Sequence, residues 1–160
     1  MRSLLDGGAF GMVICSPMLR ARRTAELAGL RETGAADATV EIDRDLREWD
    51  YGDFEGLTTP EIRERHPDWS IWDGPWPGGE TAPDVAARAD RVVARILSSG
   101  VDDVAVVGHG HFSRALAARW VGAGVGAGRW LDLDTASVSE LGWSRDERVI
   151  RRWNLVAVTA

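Results

Sequence analysis

Lysine is absent from the 160 residues, and all nineteen basic side chains are arginine. Codon bias accounts for such a replacement, but its chemical result is that every fixed side-chain cation is a planar, always-charged fork suited to phosphate or carboxylate. Net positive charge is also lacking. At −6 the chain carries no general nucleic-acid footprint, so an anionic substrate would need a local cluster of arginine on an acidic surface. No apolar run approaches the roughly 20 residues of a membrane helix, and the first residues lack a basic segment followed by a hydrophobic one. The one cysteine, Cys15, has no second thiol for an internal disulfide, in keeping with a reducing compartment. These absences make a cytoplasmic protein the expectation, with no nucleic-acid or membrane partner; oligomeric state stays open. Tyrosine is scarce, one against eight tryptophans. The tryptophans are expected mostly in the core and in pocket walls, since large aromatics dominate burial; for Trp120 and Trp130 the core is the expectation and an interface the alternative. The length suits one compact domain, 1–160, and no internal repeat is present.

What is there reads as alternating strands and helices. Residues 1–10 resemble the last turn of a helix with glycine caps, though no helix start precedes them. Gly11 to Cys15 is a short apolar strand, and Ser16-Pro17 follows as an N-cap with proline at the first helical position, opening a helix to about Leu27. Val40 to Leu46 alternates as another strand, and Arg47 to Gly56 is a charged, aromatic, glycine-punctuated loop. Thr59-Pro60 starts a short helix that stops before Pro67. Trp69 to Gly79 holds too many prolines and glycines for regular structure and reads as a tryptophan-rich flap. From Pro83, residues Val85, Ala89, Val92, Val93 and Ile96 follow helical spacing up to the Ser-Ser-Gly stop at 98–100. Val104 to Val107 is a continuously apolar strand of the kind buried on both faces, His111 to Val121 a helix, and Gly122 to Gly128 a flexible glycine-alanine loop. Ser137 to Trp143 and Val149 to Leu155 read as two strands around the polar turn 144–147.

The most telling stretch is Val104 to Arg114, where the apolar run ends in Gly108-His109-Gly110 and passes straight into a helical pattern. Ligands of open α/β sheets sit beyond the carboxyl ends of parallel strands, where backbone N–H groups and a helix N-terminus favour an anion. His109 stands at that edge either as a functional histidine or as a turn residue capping the next helix. Arg20 lies one turn into the helix after Ser16, where a phosphate would gain charge-assisted bidentate bonds; the alternative is a solvated arginine beside Arg22 and Arg23. Glu48 follows a strand and sits among aromatics, surroundings that desolvate a carboxylate and suit it to general-acid use, or else it is a surface acid. The three turns can meet at one sheet edge, where they supply a cation, an acid and an imidazole.

In chain order, Ser16-Pro17-Met18-Leu19-Arg20-Ala21 with Thr24-Ala25, then Leu46 to Gly56, Pro77-Gly78-Gly79-Glu80-Thr81 and Gly108-His109-Gly110-His111, form a combined pattern. It resembles the histidine phosphatase, or phosphoglycerate mutase-like, superfamily from about residue 2 to Asn154. The string Glu48 to Gly56, the Trp72 flap and the His-Gly-His turn resemble its acid phosphatase and sedoheptulose-bisphosphatase-like branch more than its mutases. The resemblance implies an α/β three-layer sandwich, a mostly parallel sheet with helices on both faces and the first strand missing. It implies hydrolysis of a small phosphorylated metabolite through a phosphohistidine, with no metal and no cofactor. Position by position, it makes Arg20 the phosphate-binding arginine, His109 the second active-site histidine on the phosphoryl group, and Glu48 the proton donor to the leaving alcohol. These roles suit the reaction: the transferring group keeps negative charge on its equatorial oxygens, and an alkoxide needs a proton. Arg47, His111 and Trp72 are the further candidates for substrate contact, His111 with helix capping as its alternative.

The family's nucleophile lies in an Arg-His-Gly motif at the end of the first strand, and no such motif occurs in the chain. His66 precedes Pro67 in a helix-ending turn. Cys15 and Arg20 enclose four residues, one too few for a cysteine-phosphatase loop. The unit concerned, a strand, the nucleophile loop and most of a helix, amounts to about 30 to 40 residues. In the family that strand lies between the His109 strand and the last two strands. Open ladder groups and apolar surface are therefore expected on both sides of a gap, unless the flanking strands close up or another chain fills it. The expectation is an N-terminally truncated domain, through a start upstream of Met1, a fragment, or an inactive relative. The functional readings are a phosphatase competent with the missing segment, an inactive phosphate-binding module and, as a minor reading, a mutase, against which stands the short segment between Leu57 and the flap.

Overall fold

Two short apolar runs make the centre of the sheet. In the computed structural model, which describes residues 4–5, 10–30 and 40–157, β1 (Met12–Cys15) pairs in parallel with β2 (Val40–Ile42) on one side and β3 (Val104–Val107) on the other. The order is β2-β1-β3. Parallel pairing requires crossover connections, and the helices that supply them cover both faces. On one face α1 (Leu19–Leu27) lays Ala21 and Ala25 against Val13, Cys15, Ala105 and Val107. On the other, α3 (Ala82–Ser98) and α4 (Gly110–Trp120) pack Val85, Ala89, Val92, Phe112 and Leu116 with Ile14 into the larger core. Thr81 and Asp84 close a capping box at the start of α3, with proline in its first turn, so the helix begins where its apolar stripe does. The short α2 (Thr59–Arg63) starts on a similar box between Thr58 and Glu61. An antiparallel hairpin, β4 (Val138–Ser144) and β5 (Glu147–Leu155), forms a second, separate sheet. The architecture is α/β, a parallel sheet flanked by helices, as the resemblance implied. Among the described residues no helix is long and apolar enough to cross a membrane.

Several local expectations change. Helix α1 starts at Leu19 with Met18 as its N-cap residue; the Ser16 side chain is drawn elsewhere, as described below. The strand expected over Val40 to Leu46 stops at Ile42, because the Asp43 carboxylate accepts from Asp45 N and winds Arg44–Leu46 into a 3-10 turn. The glycine-alanine loop is a packed 3-10 helix over Val125–Trp130; a Cβ on Gly128 would come 2.6 Å from the Trp72 ring. The flap is part of the core, since Trp69 and Trp72 are buried and the Trp69 and Trp76 indole N–H groups donate to Pro75 O and Ile71 O. Trp130 is 81% exposed, so of the two tryptophans expected inside only Trp120 is buried. The helix end expected over residues 1–10 lies mostly outside the described residues.

Strand β3 was expected to be buried on both faces, yet Val104 and Val106 are only half-buried. They border a groove of about 1310 Å³ that separates the parallel sheet from the hairpin, with Leu116, Trp120 and Leu141 also in its walls. Among the described residues no strand pairs with the outer edge of β3. At the carboxyl end of β3 the groove reaches Arg20, Glu48 and His109.

Candidate active site

Because β1 and β3 run parallel with Cys15 opposite Val107, both strands end at the same sheet edge, and the residues that follow them share one space. Ser16 N donates to Val107 O at 2.9 Å, which ties the two turns by their backbone. His109 is the N-cap residue of α4, with extended backbone. Arg20 Nε donates to His109 Nδ1 at 3.1 Å, and His109 Nε2 lies 2.8 Å from Ser16 Oγ. A guanidinium has no acceptor, so Nδ1 is the accepting nitrogen and the neutral ring carries its proton on Nε2, donated to the serine oxygen. Burial holds the His109 pKa below the usual histidine value; the Glu48 charge opposes this, and the Arg20 cation adds to the lowering. Arg20 itself is exposed, so its remaining N–H groups are open to an incoming anion.

Glu48 follows the 3-10 turn Arg44–Leu46 and faces the start of α4. Its Oε1 accepts from Trp49 N at 2.9 Å and Phe112 N at 2.8 Å, and its Oε2 from His111 N at 3.2 Å. The first N–H groups of a helix have no intrahelical partner and favour an anion. The expected desolvation among aromatic rings is thus replaced by a cradle of backbone donors. The Trp49 ring turns inward to the core, where its N–H donates to Glu80 O at 2.8 Å.

His111 stands beside this cradle. Tyr51 Oη lies 2.6 Å from its Nδ1, and the Tyr51 and Trp72 rings meet it edge-on at 5.8 and 5.6 Å between centroids. Burial, then the charges of Glu48 and Glu55, push the Tyr51 pKa far up, so the phenol keeps its proton and donates it to Nδ1. Burial also lowers the His111 pKa, which leaves a neutral ring with its proton on Nε2. Trp72 stands behind His111, packed edge-on to Trp49 at 5.7 Å, with the Arg114 guanidinium 4.9 Å from its ring centroid. Arg47 is exposed; its backbone carbonyl accepts from Arg88 at 3.0 Å, and its charge acts on Asp45.

Arg20, Glu48, His109 and His111 therefore gather at one edge, with Trp72 packed behind His111, while Arg47 meets Arg88 through its backbone carbonyl. Ser16, Tyr51 and Arg88 were not among the candidates drawn from the sequence. Ser16 sits in a quoted motif but reads as a cap, Tyr51 is the lone tyrosine of a glycine-punctuated loop, and Arg88 is a charge inside the apolar stripe of α3. Among the described residues no group of His, Cys, Asp or Glu is disposed to hold a metal ion.

A family model described as histidine phosphatase superfamily (branch 1) matches residues 1–156. The acid phosphatase of Mycobacterium tuberculosis is 44% identical over 138 residues, covering 86% of this chain and 64% of its own length. Sedoheptulose 1,7-bisphosphatase of Saccharomyces cerevisiae is 39% identical over 131 residues, covering 71% and 48%. The solved structure of an open-reading-frame product from Mycobacterium tuberculosis is similar with a TM-score of 0.85 at 42% identity, over 96% of this chain and 78% of that one. The chain thus spans 64% and 48% of the lengths of those two curated relatives. Matched along nearly its whole length by the family model, with the charged turns of its parallel sheet at one edge, the chain belongs to the histidine phosphatase superfamily.

Proposed function

We propose that this site binds the phosphoryl group of small phosphorylated metabolites and serves their hydrolysis as phosphomonoesters. The observation that carries the reading is the Arg20–His109 contact of 3.1 Å at the carboxyl edge of a parallel sheet, beside the N-terminus of α4. The free N–H groups of the Arg20 guanidinium are donors for the equatorial oxygens, whose charge persists through transfer, and His109, accepting from Arg20 Nε, holds that cation in place, so a fixed charge stabilises the transition state. Glu48, held next to them, gives a proton to the leaving oxygen and takes one back from water. Relatives named as phosphatases support this assignment.

His109 and His111 are engaged as described, and His66 packs on Phe54 with ring centroids 5.5 Å apart. The attacking imidazole of a phosphohistidine mechanism is therefore assigned to a further parallel strand seated in the groove, where the open edge of β3 offers a ladder and Val104 and Val106 an apolar wall. Such a strand would end beside His109. Without it, the same side chains make a phosphate-binding module, the reading favoured for these 160 residues alone by the lack of an Arg-His-Gly motif. The test pairs calorimetry of the 160-residue chain with inorganic phosphate and turnover of p-nitrophenyl phosphate by the polypeptide extended through the in-frame codons upstream of Met1. Phosphate binding by the first, hydrolysis with an acidic optimum by the second, and a loss of about 100-fold or more on His109→Ala are expected. Neither binding nor turnover in either polypeptide would overturn the proposal.

A further inference from the structure

Arg88 sits on the buried face of α3, 5% exposed, where the helical spacing calls for an apolar residue. Its charge is met by Glu80 in a two-point pair, Nε to Oε1 and Nη2 to Oε2, both at 2.7 Å. The remaining donors all reach the backbone of one loop: Nη1 donates to Asp45 O and Arg47 O, and Nη2 to Glu48 O at 3.5 Å. The guanidinium also lies 4.4 Å from the centroid of Phe112, the residue whose N–H donates to Glu48 Oε1. Glu80 completes the hold from the far side, its Oε2 accepting from Asp50 N at 3.1 Å and its N–H donating to Asp50 O at 2.9 Å.

A buried ion pair is a poor device for stability alone, since well-packed apolar groups in its place are often neutral or better. A planar fork with five fixed donors is, however, well suited to holding several carbonyls in one geometry, and a lysine is not. We propose that Arg88 is the positioning residue of Glu48: it clamps the backbone of the 45–48 loop so that the carboxylate meets the two free N–H groups of His111 and Phe112. This rests on Glu48 as the proton-transfer group, but the clamp itself can be measured separately.

The amides of His111 and Phe112 lie in the first turn of α4, and their partner is the Glu48 carboxylate. Hydrogen exchange followed by NMR on the 160-residue chain therefore reads the clamp directly. In Arg88→Met, and in Arg88→Lys, which keeps the charge but not the fork, these two amides exchange at least about tenfold faster, matching Glu48→Ala, while Leu116 to Trp120 keep their protection. The double variant Glu80→Met/Arg88→Met, which removes both charges together, gives the same local pattern. Unchanged exchange at Phe112 in any of these, or protection lost evenly along α4 in all of them, overturns the proposal. In a catalytically competent extended polypeptide, Arg88→Lys slows alkyl phosphates about tenfold more than p-nitrophenyl phosphate, whose leaving group needs no proton. Local loosening with equal slowing of both substrates leaves the clamp standing and removes Glu48 as proton donor.

Discussion

Replacing Ser16 with alanine isolates the contact that orients His109. Ser16 is fully buried, and its Oγ accepts from His109 Nε2–H at 2.8 Å and from Met18 N at 3.3 Å. The variant keeps Cβ and the backbone, so packing changes little, but two donors lose their acceptor. The imidazole N–H dominates the cost, because the ring is 9% exposed and has no easy access to water. A buried donor left without a partner costs about 1–3 kcal/mol. For a chain of this size each kcal/mol moves Tm by roughly 2–4 °C, so a fall of about 2–12 °C is expected. Thermal unfolding of Ser16→Ala beside the parent, at a pH where His109 is neutral, measures it. Ring ¹⁵N shifts taken alongside should show His109 still protonated on Nε2 in both proteins, since Arg20 continues to occupy Nδ1. A Tm within about 1 °C of the parent would mean that the serine oxygen does not hold the imidazole.

Two further outcomes follow from the same geometry. His109 and His111 both have pKa values lowered from 6.5, chiefly by burial; the unfolded chain therefore binds protons that the folded one does not, and stability is full above about pH 6.5 and falls as pH drops below it. Asp45, held low by its hydrogen bonds to Arg91, contributes stability that is present above 3.8 and lost as pH falls through its folded value, so the two windows separate. Urea midpoints taken from about pH 8 to about pH 5 should decline with acidity, and a flat series would contradict the neutral imidazoles. Gly52 has φ +57°, and a Cβ there would lie 2.2 Å from both Gly79 N and Pro77 O, backbone atoms that cannot yield. Gly52→Ala should lose about 3 kcal/mol or more in denaturant unfolding, and an unaltered midpoint would show that the two loops do not pack as described.

The elements legible in the sequence are those whose signal is local. The stripe Val85, Ala89, Val92, Val93 and Ile96 from Pro83 onward defines α3 without reference to anything else. The approach of Arg20 to His109 was readable because both residues follow apolar runs that end, and parallel strands place such ends at one edge. What could not be read is what depends on a distant partner. Ser16 is an ordinary capping residue until His109, 93 positions on, takes its oxygen. Gly122 to Gly128 looks mobile until the Trp72 ring is pressed against Gly128. Arg88 is one arginine among nineteen in the sequence, and only the fold reveals that the carbonyls of Asp45, Arg47 and Glu48 converge on it. The surroundings expected of Glu48 were aromatic, but the Trp49 ring turns into the core while the N-terminus of α4, some sixty residues away, supplies donors to the carboxylate.

Whether the two turns make one anion site is decided by a crystal structure of the chain with inorganic phosphate bound. The phosphate should lie within hydrogen-bond distance of the Arg20 guanidinium, with His109, the Glu48 carboxylate and the start of α4 beside it. Phosphate seated elsewhere, with the Arg20–His109 contact untouched, would contradict the assignment.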